Sequence, residues 1–146
     1  MFDINPKKLV LSIVVLFVAV FATDFVIHSV LMKADYEATS EIWRTEEEMM
    51  KKMPFMMLGQ FLAALAFGML YARGFASGCW SCALIFGVIF GGVVMAATSC
   101  SYYAVLPVTG GIVTKWIVFG IIQGLVLGAV AKLVYCLLYT SDAADE

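Results

Sequence analysis

Histidine occurs once in this chain, at position 28, and proline three times. A single imidazole is thin support for a transition-metal or haem centre, whose ligand sets draw on several histidines or cysteines. With proline confined to positions 6, 54 and 107, long stretches carry no helix breaker. Charge is scarce too: 14% of residues are Asp, Glu, Lys or Arg, against about a quarter in soluble domains. The formal net charge of -2 gives no electrostatic case for nucleic acid. No glycine-flanked serine elbow, phosphate-binding loop or dinucleotide fingerprint occurs, so hydrolase and nucleotide chemistry lack a sequence basis.

What abounds is apolar. Hydrophobic residues make up 63% of the 146, a membrane composition whose length admits about four spans of roughly 20 residues. The runs fall at about 9–31, 54–72, 79–99 and 112–135. Lys7 and Lys8 precede the first run as they would in a signal peptide. That run outlasts the usual h-region of about 7–15 residues, and no small-x-small cleavage site closes it, so it reads as a retained span. The expected fold is all-α: a four-helix transmembrane bundle with a charged helical hairpin between spans one and two. Residues 1–135 form a single membrane domain.

Half of the charged residues lie within residues 32–53. Thr45 and Glu48 have capping-box spacing, which predicts a helix start at Glu46. Pro54 either opens the second span or interrupts a helix continuing from Glu46. Tyr36 and Trp43 read as interface anchors. With no Gly or Pro between the first span and Pro54, the first helix is expected to continue past Met32. Asp35 would then lie about 20° from Asp24 around the helix axis. The plain alternative for this segment is a solvated loop with no task. Tyr102, Tyr103 and Trp116 read as an aromatic belt, and Pro107 with Gly110-Gly111 as turn chemistry.

Small residues recur at helical spacing: Gly87 and Gly91; Gly120, Gly124 and Gly128; Ala64, Gly68 and Ala72. Such stripes let helix backbones approach closely in lipid, and one of them is open to a second copy or a membrane-complex partner. Phe86–Gly91 and Phe119–Gly124 also look alike.

Antiparallel threading gathers the intramembrane polar groups into one leaflet. Asp24 and His28, four residues apart near the end of span one, share a helix face. Gln60 enters from span two, Ser99 from the end of span three, Lys115 and Gln123 from the first half of span four, and Asp35 extends the group outward. Ionisable residues in a span are costly and mark candidate functional sites. They suit a ligand or proton path, and equally interhelical hydrogen bonding that holds spans together.

Two further groups invite chemistry. Cys79-Trp-Ser-Cys82 has dithiol spacing at a helix start, where a thiolate is favoured. Four-helix membrane thiol oxidoreductases relay through a second cysteine pair, whereas Cys100 stands alone on the opposite face, so incidental cysteines are the competing reading. Met49, Met50, Met53, Met56 and Met57 could offer soft metal ligands, though methionine also fills irregular apolar gaps, and no metal or cofactor is assigned.

The layout Asp24-x-x-x-His28, Tyr36, Ile42-Trp43-Arg44, Tyr103-x-x-x-Pro107 and Trp116 resembles small four-span membrane proteins of bacterial genomes, of uncharacterised activity. The resemblance implies an integral protein of the bacterial inner membrane and carries over no chemistry. Residues 136–146, beginning at Cys136, resemble translated sequencing-adapter read-through and are set aside from the functional reading. Counting Lys and Arg places the charged hairpin in the cytoplasm, while the compact Lys7-Lys8 pair argues the reverse. The functional expectation is an accessory or assembly subunit, or a small-ligand-binding bundle. The alternatives are a small transporter or proton-conducting element using Asp24 and His28, and a thiol oxidoreductase at Cys79 and Cys82.

Overall fold

The computed structural model describes residues 6–75 and 79–142, with side chains through residue 135. Cys136 therefore lies outside the described side chains. The chain is an all-α membrane bundle. Among the described residues four helices are long and apolar enough to cross a membrane: Pro6–Leu31, Glu46–Gly74, Trp80–Val105 and Gly110–Tyr135. The α-helices are α1 (Pro6–Asp24), α2 (Lys33–Ala38), α3 (Glu46–Gly74), α4 (Trp80–Val105) and α5 (Gly110–Asp142).

Span one does not stay α-helical. After Asp24 it widens into a seven-residue π-helix, Phe25–Leu31, and Met32 N–H donates to the Ile27 carbonyl five residues back at 2.9 Å. Met32 then leaves helical geometry, with φ -103° and ψ 6°, before α2 begins. The continuous helix expected through Asp35 is therefore absent. Neither Gly nor Pro marks the break. Burial does: Met32 is fully buried, and its packing sets the change of direction.

The charged hairpin is formed by α2, a 3₁₀ turn at Ser40–Ile42 and the first turns of α3. Thr45 Oγ1 accepts the Glu48 N–H and Glu48 reaches back to the Thr45 N–H, completing the expected capping box. Pro54 lies inside α3 rather than opening it. Lacking an N–H, it removes one backbone bond without ending the helix. The hairpin also has an apolar underside. Tyr36, Ile42 and Trp43 pack on a buried cluster of Ile27, Met32, Val108, Ile112 and Trp116, so the segment is anchored and not a free solvated loop.

α4 continues through Val105, carrying Tyr102 and Tyr103 on a helix. Gly110 and Gly111 belong to α5 rather than to a turn. The link shrinks to four residues around Pro107, and Thr109 Oγ1 caps α5 by accepting the Ile112 N–H.

α4 and α5 make the closest contact in the molecule. A side chain at Gly87 would overlap the Gly124 carbonyl, one at Gly91 the Gly120 carbonyl, and one at Gly128 the Ala83 carbonyl. The two look-alike segments, 86–91 and 119–124, are thus the two faces of one antiparallel seam. α1 packs on both α3 and α5. α3 and α4 meet near one end only, where Phe67 and Phe75 touch Phe86 at ring separations of 4.9 and 4.5 Å.

Gly124→Ala is expected to destabilise the protein by about 1–3 kcal/mol through overpacking. Gly59→Ala, whose added carbon meets nothing within 4 Å, should leave stability unchanged or slightly raised. Thermal unfolding of both variants in detergent tests the seam; equal behaviour would refute it.

Candidate functional site

The end of α1 carries the central polar group. Asp24 Oδ2 accepts from Gln60 Nε2 of α3 at 2.8 Å, and Oδ1 accepts from Gln123 Nε2 of α5 at 2.7 Å. The second Gln123 amide hydrogen goes to Thr23 Oγ1 at 2.8 Å, and Thr23 returns its own proton to the backbone of its helix, chiefly to the Ala19 carbonyl at 2.7 Å. One carboxylate thereby ties three helices. Among the described residues no lysine or arginine forms an ion pair with it.

The π-helix carries a second node. His28 Nδ1 lies 2.6 Å from the Tyr36 hydroxyl, which also accepts the Trp116 indole N–H at 2.8 Å. The same hydroxyl sits 3.6 Å from Met32 Sδ. The imidazole nitrogen is the stronger and nearer acceptor, so the phenol proton belongs to Nδ1 and the ring carries its own proton on Nε2. Burial raises the Tyr36 pKa, opposed by the hydrogen bond from Trp116, so the phenol keeps the proton that this geometry requires. Tyr36 and Trp116, read from sequence as an interface anchor and a belt residue, point inward instead. The buried hydrogen-bond partner each finds is invisible in a linear pattern.

Asp24 and His28 therefore do not pair with each other, but both line one cleft of about 720 Å³ together with Gln60, Ser99 and Gln123. Asp35 and Lys115 stand outside it and form their own bridge, Lys115 Nζ to both Asp35 oxygens at 2.6 and 2.7 Å. That pair is partly exposed and fastens α2 to α5 with modest energy. The cleft wall is apolar, with Met53, Met56 and Met57 from α3 facing Val94 and Met95 from α4. Its walls leave two polar atoms without a partner: Gln60 Oε1 and Ser99 Oγ are both buried and make no hydrogen bond. Ser99 is only 1% exposed, and both atoms are closed to water and to any molecule in the cleft alike. Among the described residues no three His, Cys, Asp or Glu side chains converge as a metal site would need.

The opposite half of the bundle is closed by packing. Leu16, Val20, Ala64, Phe67, Tyr71, Ala83, Leu127 and Ala131 form one buried cluster. Ser12 and Tyr71, fully buried there, qualify the expectation that nearly all polar side chains share one leaflet.

The thiols are brought together. Cys79 Sγ lies 2.8 Å from Cys82 Sγ and 3.0 Å from Ser81 Oγ, and it accepts the Cys82 N–H as the N-cap of α4. Contact with the Cys82 thiol, then with Ser81, pushes the Cys79 thiol down to about 7. Cys100, also a free thiol, sits about 27 Å from Cys82 along the same helix at 1.5 Å per residue. No protein-family model, curated protein or solved structure matches the chain.

Two outcomes are expected. Alkylation of Cys79 should rise with pH around a midpoint of about 7, because the thiolate is the nucleophile. In Cys82→Ala, which removes that side-chain donor, the midpoint should move up toward the ordinary 9.0; a wild-type midpoint already there would refute the pairing. Tyr36→Phe removes the hydroxyl that serves both His28 and Trp116, and should cost about 1–3 kcal/mol in unfolding measurements.

Proposed function

We propose that this protein is a non-catalytic, ligand-binding four-helix bundle of the bacterial inner membrane, holding a small molecule against Asp24. The observation that carries this reading is an open, largely apolar cleft of about 720 Å³ with Asp24 on its wall and no lysine or arginine among its lining residues. A bundle built only for packing has no use for such a space, because the atoms that line it forfeit dispersion contacts. Two features favour retention over passage across the membrane. His28 and Asp24 belong to separate hydrogen-bonded groups, and the far half of the bundle is filled by its apolar cluster.

Thiol exchange at Cys79 and Cys82 is a second reading, favoured by the contact between the two sulfurs and the lowered Cys79 thiol. In it the dithiol passes two electrons and two protons to a partner disulfide and closes its own.

Native mass spectrometry of protein released gently from the membrane tests the first reading. Wild type should carry a low-mass molecule, and Asp24→Asn should carry it at reduced occupancy. Empty wild-type protein that holds a second polypeptide instead would favour an assembly subunit.

A further inference from the structure

The cleft has one wall that offers hydrogen bonds and another that offers apolar contact. Aromatic rings roof one end: Tyr36 meets Trp43 at 5.3 Å, and Trp116 meets Trp43 at 6.2 Å and Tyr102 at 6.0 Å. At the other end Phe67 closes on Phe86 and Phe90. Between these ends α3 and α4 stand apart. Phe55 and Met56 on one side and Val94 and Tyr102 on the other line the gap and are exposed. Both helices are spans that lipid would surround, so the cleft opens sideways, toward acyl chains. Its volume of about 720 Å³ falls within the roughly 300–1,000 Å³ of sites that hold one small molecule.

The hydrogen-bonding wall is the end of span one. Asp24 and His28, one turn apart, both line the cleft and are both half-buried. Gln60 Oε1 and Ser99 Oγ are sealed from it, so they place no demand on an occupant. His28 Nε2 is different. Tyr36 holds the ring through Nδ1, which leaves Nε2–H as a donor. Among the described residues Nε2 has no hydrogen-bond partner, yet it is not one of the sealed atoms. Asp24 is the neighbouring acceptor. Each carboxylate oxygen accepts one amide hydrogen and keeps a further lone pair. The wall thus presents a donor and an acceptor side by side.

The head of an occupant must answer both. An ammonium only donates, and it turns its N–H groups against the His28 N–H. A carbonyl or ether only accepts, and it offers Asp24 nothing. A carboxylate or phosphate is repelled by Asp24 and meets no lysine or arginine on the lining. A hydroxyl donates to the carboxylate and accepts from the imidazole with a single oxygen. Being uncharged, it also enters from lipid without the desolvation cost of an ion.

Resting on the ligand-binding reading above, we infer that the cleft takes an uncharged lipid alcohol from the bilayer. Its hydroxyl bridges the Asp24 carboxylate and the His28 Nε2–H. Its apolar body lies along Met53 and Met56, both on the lining, toward the α3–α4 gap. Tyr36 is then a positioning residue: its bond to Nδ1 fixes the tautomer that offers an N–H to the ligand.

His28 is the only histidine, so isotope-labelled histidine gives a nitrogen NMR signal from this imidazole alone. The full chain in phosphatidylcholine nanodiscs, whose lipid carries no hydroxyl, is titrated with dodecanol. The Nε2 resonance should move and saturate. Methyl dodecyl ether keeps the acceptor without the donor, and dodecylamine keeps donors without the acceptor; each should bind about tenfold more weakly. Ethanol carries the head alone and should bind far more weakly still. Val94→Trp, at the exposed mouth, should weaken dodecanol and leave ethanol unchanged. Asp24→Asn replaces a charged acceptor by a neutral one and should weaken dodecanol about tenfold. Because Asp24 also ties three helices together, the series of probes on wild type carries the test if that variant fails to fold. A resonance that ignores dodecanol, or ether or amine binding as tightly, would overturn the hydroxyl assignment. Ethanol binding as well as dodecanol, or full dodecanol affinity in Val94→Trp, would overturn the bilayer source. If dodecanol fails while protein from its own membrane carries another low-mass molecule, this inference falls and the ligand-binding reading stands. If wild type is recovered empty and only with a second polypeptide, both fall.

Discussion

The Asp24 carboxylate is the joint on which the bundle depends. Lipid tails are as apolar as the helix surfaces they cover, so burial gives spans little reason to prefer one another. Close backbone contact and interhelical hydrogen bonds must supply the preference. This protein uses both, in different places. α4 and α5 are held by glycines that let carbonyls of one helix rest where side chains of the other would stand. α1 has no such seam with α5. Its ties to α3 and α5 combine the buried Leu16 and Val20 with the hydrogen bonds of Asp24, Gln60, Gln123 and Thr23. The molecule is thus a tight pair of helices with a second pair attached by a polar knot, and the cleft is the space that attachment leaves.

The same division explains why the cleft is where it is. On the Phe67 side, aromatic rings bring α3 onto α4. On the Asp24 side the amide bridges hold α3 to α1 instead. α3 cannot satisfy both neighbours along its whole length, and the gap opens where its polar partner lies on α1. The hairpin then closes the top, using rings that its charged composition conceals.

Much of this was legible in the residues. The four spans, the Thr45–Glu48 cap and the glycine ladder each rest on local chemistry with a fixed period. The grouping of Asp24, His28, Gln60, Ser99 and Gln123, which line one cleft, followed from threading alone. What escaped notice depended on contacts between distant segments. The π-helix at Phe25–Leu31 has no glycine or proline to announce it, because the buried Met32 and the Tyr36–His28 bond arrange it. Tyr36 and Trp116 carry a ring and a polar tip, which suit an interface and a buried hydrogen bond equally well. Asp35 and Lys115 looked like members of the site because their depth was right, but the turn at Met32 places them on the rim as a bridge. That Ser99 lacks a partner is a property of its surroundings, and no sequence pattern encodes it.

The four-residue link between α4 and α5 has a consequence for how the molecule assembles. Closing so short a loop costs little entropy, and the glycine seam it enables is made of contacts near in sequence. The Asp24–Gln123 bond, by contrast, joins residues 99 apart. Synthesis therefore delivers Asp24 to the bilayer long before its second amide partner exists. Until α5 arrives, Gln60 is the only side chain in this knot available to shield the carboxylate. The order of residues in the gene thus sets a period in which the most expensive group of the bundle is half-satisfied, and it ends only when the last helix enters.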